Sequence, residues 1–422
     1  MDIHMEIPVV FATDENYLFY TAVAITSMAE NAKADTFYKV YILVSGELGK
    51  GHLLFDKLQE KYDNLKIHFL PVEESLFRNV HIHNSHVTKA TFYRLLLGNL
   101  LQEDKCLYLD SDIIVNTDLQ ELYATELQSA YIAGVRDLWL DLMEEEEREE
   151  RRIKTGIPSM EQYVNAGVLL FHLKKIRRDG MTEKFCAHMQ KDYPYEDQDI
   201  VNVCCYDHIR RLPAKWNLFT LFMGQREMLE QKGIDKETIH QMKERKGIIH
   251  YATPFIRPWE SRRFLCNDIW WQYAEIWRDT PEFRRLEKSV RQREIGYSEE
   301  ATAAYCTAYR TVYIWGFTAF GRSLLNALME REVNQISAFI DNDAEKQKFT
   351  YCGKPVAPSG SINYEPGKCA FLIASQKSGK EIQKMLAEKG VREEDIVCFI
   401  RKNDYYYQCL RPEFRKEEGF VD

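Results

Sequence analysis

Two carboxylates stand one residue apart in the segment LDSDI, residues 109–113, directly after the apolar run CLYL. In an extended segment the side chains of residues i and i+2 point the same way, so Asp110 and Asp112 can converge. Two buried carboxylates are costly unless they are paired or bound to a metal, and convergent carboxylate oxygens suit a hard divalent cation. The spacing also fits a solvated turn or a helix cap, and it is the preceding apolar run that favours a metal site.

The elements that must position this pair follow from the apolar pattern. It predicts strands at 7–12, 40–44, 66–70, 106–109, 164–173 and 248–251, with helices at 17–31, 52–62 and 88–100. Strands that alternate with helices indicate an α/β sandwich with a largely parallel sheet. Ligands of such sheets bind beyond the carboxyl ends of the strands, which is where Asp14 and Asp110 are predicted to lie.

Six segments between residues 7 and 273 follow one another in a characteristic order: VFATDENY at 10–17, TFYRL at 91–95, LYLDSD at 107–112, AGVRD at 133–137, YVNAGVLL at 163–170 and DQDIVN at 197–202. Together they resemble the family 8 glycosyltransferases, the group that contains glycogenin and bacterial lipopolysaccharide galactosyl- and glucosyltransferases. The resemblance covers about two thirds of the chain. It implies a GT-A nucleotide-diphospho-sugar transferase fold, which is a Rossmann-like mixed sheet with helices on both faces.

The same resemblance implies a retaining hexosyltransferase that moves glucose or galactose from a UDP-sugar donor to a glycan acceptor of a cell-surface polysaccharide. Two alternatives stay open. A catalytically impaired UDP-sugar-binding protein is one of them. A sugar nucleotidyltransferase is the other, but it would need a glycine-rich phosphate loop after the first strand, where this chain has ATDEN.

Residue by residue, the resemblance implies three sets of site residues. The metal ligands would be Asp110, Asp112 and His250, and an imidazole in the set favours Mn²⁺ over Mg²⁺. The metal would stabilise charge on the departing phosphate. The catalytic set would be Asp197, Gln198 and Asp137. The substrate would be contacted by Ala12, Asp14, Asn16, Arg94, Asp110, Ser111, Asn165, Ala166, Gly167 and Arg257.

The loop after His250 departs from the family pattern. The family usually has a glycine and then Lys-Pro-Trp, whereas this chain has Thr253 in place of the glycine, Arg257 in place of the lysine, and one extra residue. Arginine keeps a cation for the phosphates and adds a bidentate fork. We therefore expect phosphate binding to persist with an altered geometry.

Beyond the catalytic domain, predicted at 1–290, the sequence indicates a linker at 291–308, a small Rossmann-like α/β domain at 309–402 and a tail at 403–422. The small domain carries the turn GFTAFG at 316–321, with Asp341 at the end of the next predicted strand. Thr318 replaces the middle glycine that lets a pyrophosphate approach the backbone, which argues against tight dinucleotide binding. Ligand binding and a scaffold role both stay open for this domain.

Two charged or aromatic stretches allow more than one interpretation. The run EEEEREERR at 144–152 fits an exposed helix or loop, or a mobile lid over the site. The segment 257–293, including an aromatic and basic helical tail at 255–290, is rich in Trp and Arg. It fits either a helix packed against its domain or peripheral contact with an anionic membrane.

Composition limits the remaining possibilities. The net charge of −9 over 422 residues argues against a nucleic-acid partner. Ten scattered cysteines without a C-x-x-C motif indicate reduced thiols. The chain shows no apolar run of transmembrane length and no signal peptide, which predicts a cytoplasmic protein, either free or peripheral to the inner face of the cytoplasmic membrane.

Overall fold

The computed structural model describes residues 5–46, 51–78, 80, 82–83, 88–253, 256–375, 378–399 and 409–411. The described residues belong to two compact units. The first unit lies within 1–255 and 269–277, and the second within 256–268 and 278–422.

The first unit is built on a mixed seven-stranded sheet and a small three-stranded sheet. Their strands are β1 (Met5–Ala12), β2 (Thr36–Val44), β3 (Leu65–Pro71), β4 (Cys106–Leu109), β5 (Ile113–Val115), β6 (Ile132–Arg136), β7 (Val164–Phe171), β8 (Ile209–Leu212), β9 (Leu218–Phe219) and β10 (Ile248–His250). The large sheet has the order β3-β2-β1-β4-β7-β6-β8, and the small one β5-β10-β9. Strands β3, β2, β1 and β4 run parallel, whereas β7 pairs antiparallel with both β4 and β6.

Helices of the first unit surround these sheets. They are α1 (Leu18–Glu30), α2 (His52–Lys61), α3 (Leu97–Leu100), α4 (Gln120–Tyr123), α5 (Leu138–Leu142), α6 (Glu145–Thr155), α7 (Leu173–Arg178), α8 (Met181–His188), α9 (Glu196–Cys205), α10 (Thr220–Met223), α11 (Arg226–Gln231), α12 (Lys236–Glu244) and α13 (Asn267–Ala274), of which 269–274 belong to this unit. All four residues of β4 are buried. Nearly continuous apolar strands are typical of a sheet covered on both faces. The predicted α/β fold with a GT-A type of sheet is confirmed.

The second unit has its own sheet of six strands, in the order β13-β14-β12-β11-β15-β16. Its elements are α14 (Pro281–Ile295), α15 (Glu299–Thr307), β11 (Thr311–Trp315), α16 (Ala319–Glu330), β12 (Ile336–Ile340), β13 (Thr350–Tyr351), β14 (Lys354–Ala357), β15 (Cys369–Ile373), α17 (Gly379–Glu388) and β16 (Ile396–Cys398). Thr318 caps α16, because its hydroxyl accepts a hydrogen bond from the Gly321 N–H at 3.1 Å. The Asp341 carboxylate accepts hydrogen bonds from the Phe317 N–H at 3.1 Å and from Lys346 Nζ at 2.9 Å.

The segment predicted as a linker, 291–308, is helical. It contains the end of α14 and all of α15, and Cys306 lies in the hydrophobic core of the second unit. The polar composition of this segment reflects the exposed faces of two amphipathic helices. The division of the chain into functional domains at 290 and 309 stays a prediction, and the tail at 403–422 falls mostly outside the described residues.

The charge run and the tryptophan-rich segment both fold as helices. Residues 145–155 form α6, whose acidic residues are exposed while Arg151 is buried. In the segment 257–293 the described tryptophans are buried: Trp259, Trp270, Trp271 and Trp277. This burial agrees with the packing interpretation, and peripheral membrane contact stays a prediction. In the described part of the chain, every helix is too short or too polar to cross a bilayer.

Candidate active site

Three strand ends bring the predicted metal ligands to one edge. Strand β4 pairs with β1 so that Leu109 lies opposite Phe11, and the Asp110 N–H then donates to the Gly167 carbonyl of β7 at 2.8 Å. Strand β10 pairs antiparallel with β5, with His250 opposite Ile113. The pairing between these two segments continues past His250. This pairing holds the His250 imidazole beside the residues that follow β4.

The ligand atoms of Asp110, Asp112 and His250 all lie within 4.8 Å of one another. His250 Nε2 is 3.2 Å from Asp112 Oδ1 and 3.9 Å from Asp110 Oδ2. The close approach of His250 and Asp110 to β7 depends on Gly167, because a Cβ there would stand 2.3 Å from His250 Cε1 and 2.8 Å from Asp110 Oδ2. Two carboxylates, one imidazole and a missing side chain form a cradle that fits a divalent cation.

Arg94 provides the buried positive charge of the site. It lies on the 3₁₀ helix Lys89–Leu96, and its guanidinium is 2.9 Å from Asp110 Oδ1 and 2.9 Å from Asp197 Oδ2. A 3₁₀ helix places residues i and i+3 directly above each other, so Arg94 Nη2 also reaches the Thr91 hydroxyl at 2.9 Å. Burial acts to lower the pKa of Arg94, but the charges of the two carboxylates outweigh burial and raise that pKa.

The sequence predicts an α-helix over 88–100, and the first part of this segment is instead the 3₁₀ helix. The α-helix α3 begins only at Leu97. The tighter winding lets Thr91 and Arg94 share Asp197, because the Thr91 hydroxyl donates to Asp197 Oδ1 at 2.6 Å. Burial raises the pKa of the Asp197 carboxyl to about 6, even though the nearby Arg94 charge acts to lower it.

Gln198 lies at the centre of a hydrogen-bonded group whose orientation is fixed by the backbone. Its Oε1 accepts from the Ala166 N–H at 3.0 Å and from Asn165 Nδ2 at 2.8 Å, and its Nε2 donates to Asp137 Oδ2 at 2.8 Å. Because the Ala166 N–H can only donate, the Gln198 oxygen must face β7 and its NH₂ must face Asp137. The three predicted catalytic residues thus lie on one wall, formed by α9 and the start of α5.

Asp137 accepts two hydrogen bonds on this wall. Its Oδ1 caps α5 by accepting from the Trp139 N–H at 3.0 Å, while Oδ2 accepts from Gln198. Burial raises the pKa of Asp137, and the Arg151 charge is the strongest of the influences that oppose this rise.

The end of β1 lies next to the aspartate motif. The Ser111 hydroxyl is 3.3 Å from the Ala12 carbonyl, and the Thr21 hydroxyl is 2.8 Å from Ser111 Oγ. Asp14 and Asn16 occupy the turn that follows, where the Asp14 carboxylate accepts the Asn16 N–H at 2.9 Å. Both lie at the carboxyl edge of the sheet, and their contact with a nucleotide stays a prediction.

Arg257 belongs to the second unit, in which its guanidinium lies 5.6 Å from the centre of the Trp259 ring. Residues 254 and 255 of the altered loop lie outside the described residues. The predicted phosphate contact of Arg257 therefore stays a prediction.

Sequence reasoning missed three groups at this site. Thr91 is hidden in a pattern that looks α-helical. Asn217, which precedes the two-residue strand β9, contacts His250 Nδ1 at 2.8 Å and has no motif around it. Arg151 is buried in a run that reads as solvent-exposed, and its Nη2 donates to Asp199 Oδ1 at 3.1 Å.

Comparison with known proteins adds the family. The model of "Glycosyl transferase family 8" matches residues 8–263, which is more than half of the chain. This chain belongs to glycosyl transferase family 8. The match begins in β1 and extends past His250, so it includes every described residue of the predicted metal cluster.

The individual relatives are distant in sequence. A Haemophilus influenzae relative is 29% identical over 231 residues, and the match spans 54% of this chain and 66% of that protein. An Escherichia coli lipopolysaccharide 1,2-glucosyltransferase is 28% identical over 291 residues, spanning 65% of this chain and 80% of that enzyme. The solved galactosyltransferase LgtC, in complex with donor and acceptor sugar analogues, aligns with a TM-score of 0.55 and 26% identity over 66% of this chain and 100% of LgtC.

Proposed function

We propose that this family 8 member is a retaining hexosyltransferase that uses a UDP-sugar, with glucose or galactose as the sugar and a surface glycan as the acceptor. The observation that carries the proposal is the cluster of Asp110, Asp112 and His250 beside the Gln198 wall, at the edge of a GT-A sheet. The named activities of the relatives, lipopolysaccharide glucosyl transfer in one and galactosyl transfer in another, support the hexose assignment.

The chemistry of the ligand set supports a dication at this edge. Oxygen atoms of Asp110 and Asp112 and an imidazole nitrogen of His250 lie within 4.8 Å of one another, and such a set suits a divalent cation. When bound, Mn²⁺, or Mg²⁺ in its place, would neutralise the diphosphate charge that develops as the glycosidic bond breaks. Asp110 and Asp112 would hold it with His250.

The protein groups would act by positioning. The Gln198 amide is a poor nucleophile, and it is held by four hydrogen-bonding neighbours rather than left mobile. We therefore propose attack by the acceptor on the face from which UDP leaves, so that an α-linked donor gives an α-linked product. Asp197 and Asp137 would bind sugar hydroxyls and orient the sugar ring for attack.

The test is a panel of UDP-glucose, UDP-galactose, UDP-N-acetylglucosamine and GDP-mannose with Mn²⁺, measuring donor hydrolysis and the anomeric proton of any glycoside by NMR. We expect turnover of a UDP-hexose, slower turnover of the GDP donor, and loss of activity in Asp112→Asn. Stabilisation by UDP without turnover of any donor would instead favour the impaired binding protein. A β-linked product would overturn retention.

A further inference from the structure

Two asparagine side chains connect the Gln198 wall to the metal cluster. Asn165 lies between Gln198 and Asn217, and Asn217 contacts His250. Asn217 is 1% exposed and His250 3% exposed, so solvent does not compete for these bonds. The neighbours of the Asn165 and Asn217 amides distinguish the amide oxygen from the amide nitrogen. The orientation of each amide can therefore be derived.

The derivation starts at the backbone. The Gly167 N–H can only donate, and it lies 2.9 Å from Asn165 Oδ1, which must therefore be the oxygen. Asn217 Nδ2 lies 2.9 Å from the same oxygen and must be the NH₂ group. The other end of the Asn217 amide, which faces His250, is then the carbonyl oxygen.

This fixes the imidazole. His250 Nδ1 is 2.8 Å from Asn217 Oδ1, an acceptor, so Nδ1 carries the proton in the neutral ring. The lone pair is left on Nε2, which is the nitrogen that faces Asp112 and Asp110. The Nε2 lone pair and the two carboxylates are then directed at one another and form a ligand set for a cation. The Phe219 ring, stacked on the imidazole at 5.3 Å between centres, hinders rotation of the ring.

We propose that Asn217 is a positioning residue that fixes the Nδ1–H tautomer of His250 and thereby presents Nε2 to the metal. The proposal rests on the metal site of the proposed function, but not on sugar transfer. Partners of metal-bound histidines that fix the tautomer typically change metal affinity 10- to 100-fold when they are removed.

Two measurements on the full chain test it. The first is the tautomer of the metal-free protein, read from the ¹⁵N shifts of the neutral His250 ring, with spectra recorded over a range of pH until the neutral form is the one observed. Assignment comes from the signals lost in His250→Gln. We expect a protonated Nδ1. A protonated Nε2 in the neutral ring would overturn the proposal.

The second measurement is Mn²⁺ affinity by electron paramagnetic resonance of the free ion. Asn217→Leu should weaken binding 10- to 100-fold, whereas Asn217→Asp keeps an acceptor for Nδ1–H and should bind at least as tightly as wild type. Asn99→Leu, at an exposed asparagine of the same unit, is the matched control and should change nothing. Equal Mn²⁺ affinity of Asn217→Leu and wild type would refute the role of Asn217. The ¹⁵N spectrum of the wild type decides the tautomer even if Asn217→Leu does not fold, and both readouts stand whether or not the chain transfers sugar.

Discussion

Gly167 is the position at which the smallest change should have the largest effect on the metal cluster. An alanine Cβ would stand 2.3 Å from His250 Cε1 and 3.0 Å from Nδ1. Gly167 is not among the glycines with positive φ, so the backbone accepts alanine and the effect of Gly167→Ala is steric. The change adds one methyl group and no charge.

The size of the effect follows from how tightly the ring is held. Ordinary carbon contacts are about 3.5–4.0 Å, so the imidazole must move by about 1 Å. The ring is held on one edge by Asn217 and on one face by Phe219, so a movement of this size displaces Nε2 from its present position. We expect Mn²⁺ affinity to fall by about 10- to 100-fold and the free energy of unfolding to fall by about 1–3 kcal/mol.

The assay is a Mn²⁺ titration of the folded variant, with thermal unfolding measured in parallel to separate stability from binding. Gly360→Ala is the control, because its Cβ would meet nothing within 4 Å. If Gly167→Ala binds Mn²⁺ as tightly as wild type, the cluster is not the metal site or is far more compliant than its contacts indicate.

Three further outcomes follow. EDTA should abolish donor hydrolysis and added Mn²⁺ should restore it, and full activity in EDTA would remove the metal from the mechanism. Asp197→Ala should lower kcat more than Gln198→Ala, whose loss we expect to be about 100-fold or less, because the first change removes one of the two carboxylates that pair with Arg94 and leaves sugar hydroxyls unpaired. Because the pKa of Asp197 is raised to about 6, kcat/KM should fall as pH drops through that value. Thr91→Val removes a hydrogen-bond donor to the ionised Asp197 and should move this fall to higher pH. A pH–rate profile that is unchanged in Thr91→Val would contradict the assignment.

The raised pKa of Asp197 also determines how this group makes folding stability depend on pH. The folded-state value of about 6 exceeds the unfolded value of about 3.9, so the folded state holds a proton that the unfolded state releases between these values. Folding stability from this group therefore decreases as pH rises through that window. The site keeps an ionisable group here at a cost to stability, as is common where a buried carboxylate is needed for chemistry.

The main strands could be predicted because apolar runs mark them, whereas the grouping of Asp110, Asp112 and His250 also needed the resemblance to family 8. Asp110, Asp112 and His250 each follow or terminate such a run, and strand ends meet at one edge. Thr91 could not be predicted as a site residue, since its pairing with Arg94 depends on 3₁₀ winding, and the sequence pattern does not separate this from α-helix.

The burial of single polar residues is the other feature that the sequence does not predict. Arg151 is flanked by exposed charges, and only tertiary contacts with Asp199 and the ring of Tyr195, 3.5 Å from its guanidinium carbon, set it apart. Asn217 precedes a strand of two residues, which is too short for any periodicity to register. Local sequence therefore predicts where a site lies more readily than which neighbours orient its ligands.

The first unit is completed by a segment that comes late in the chain. Residues 269–277 return to it after an excursion at 256–268, and Trp277 Nε1 donates to the Thr26 hydroxyl of α1 at 2.9 Å, while Asn31 Nδ2 donates to Tyr273 Oη at 2.7 Å. During synthesis, a ribosome that has released β10 has therefore made Asp110, Asp112 and His250 but not the segment 269–277 that contacts α1. The hydrogen bonds of Thr26 and Asn31 with this segment cannot form until residue 277 has emerged, and no single proteolytic cut yields both units intact.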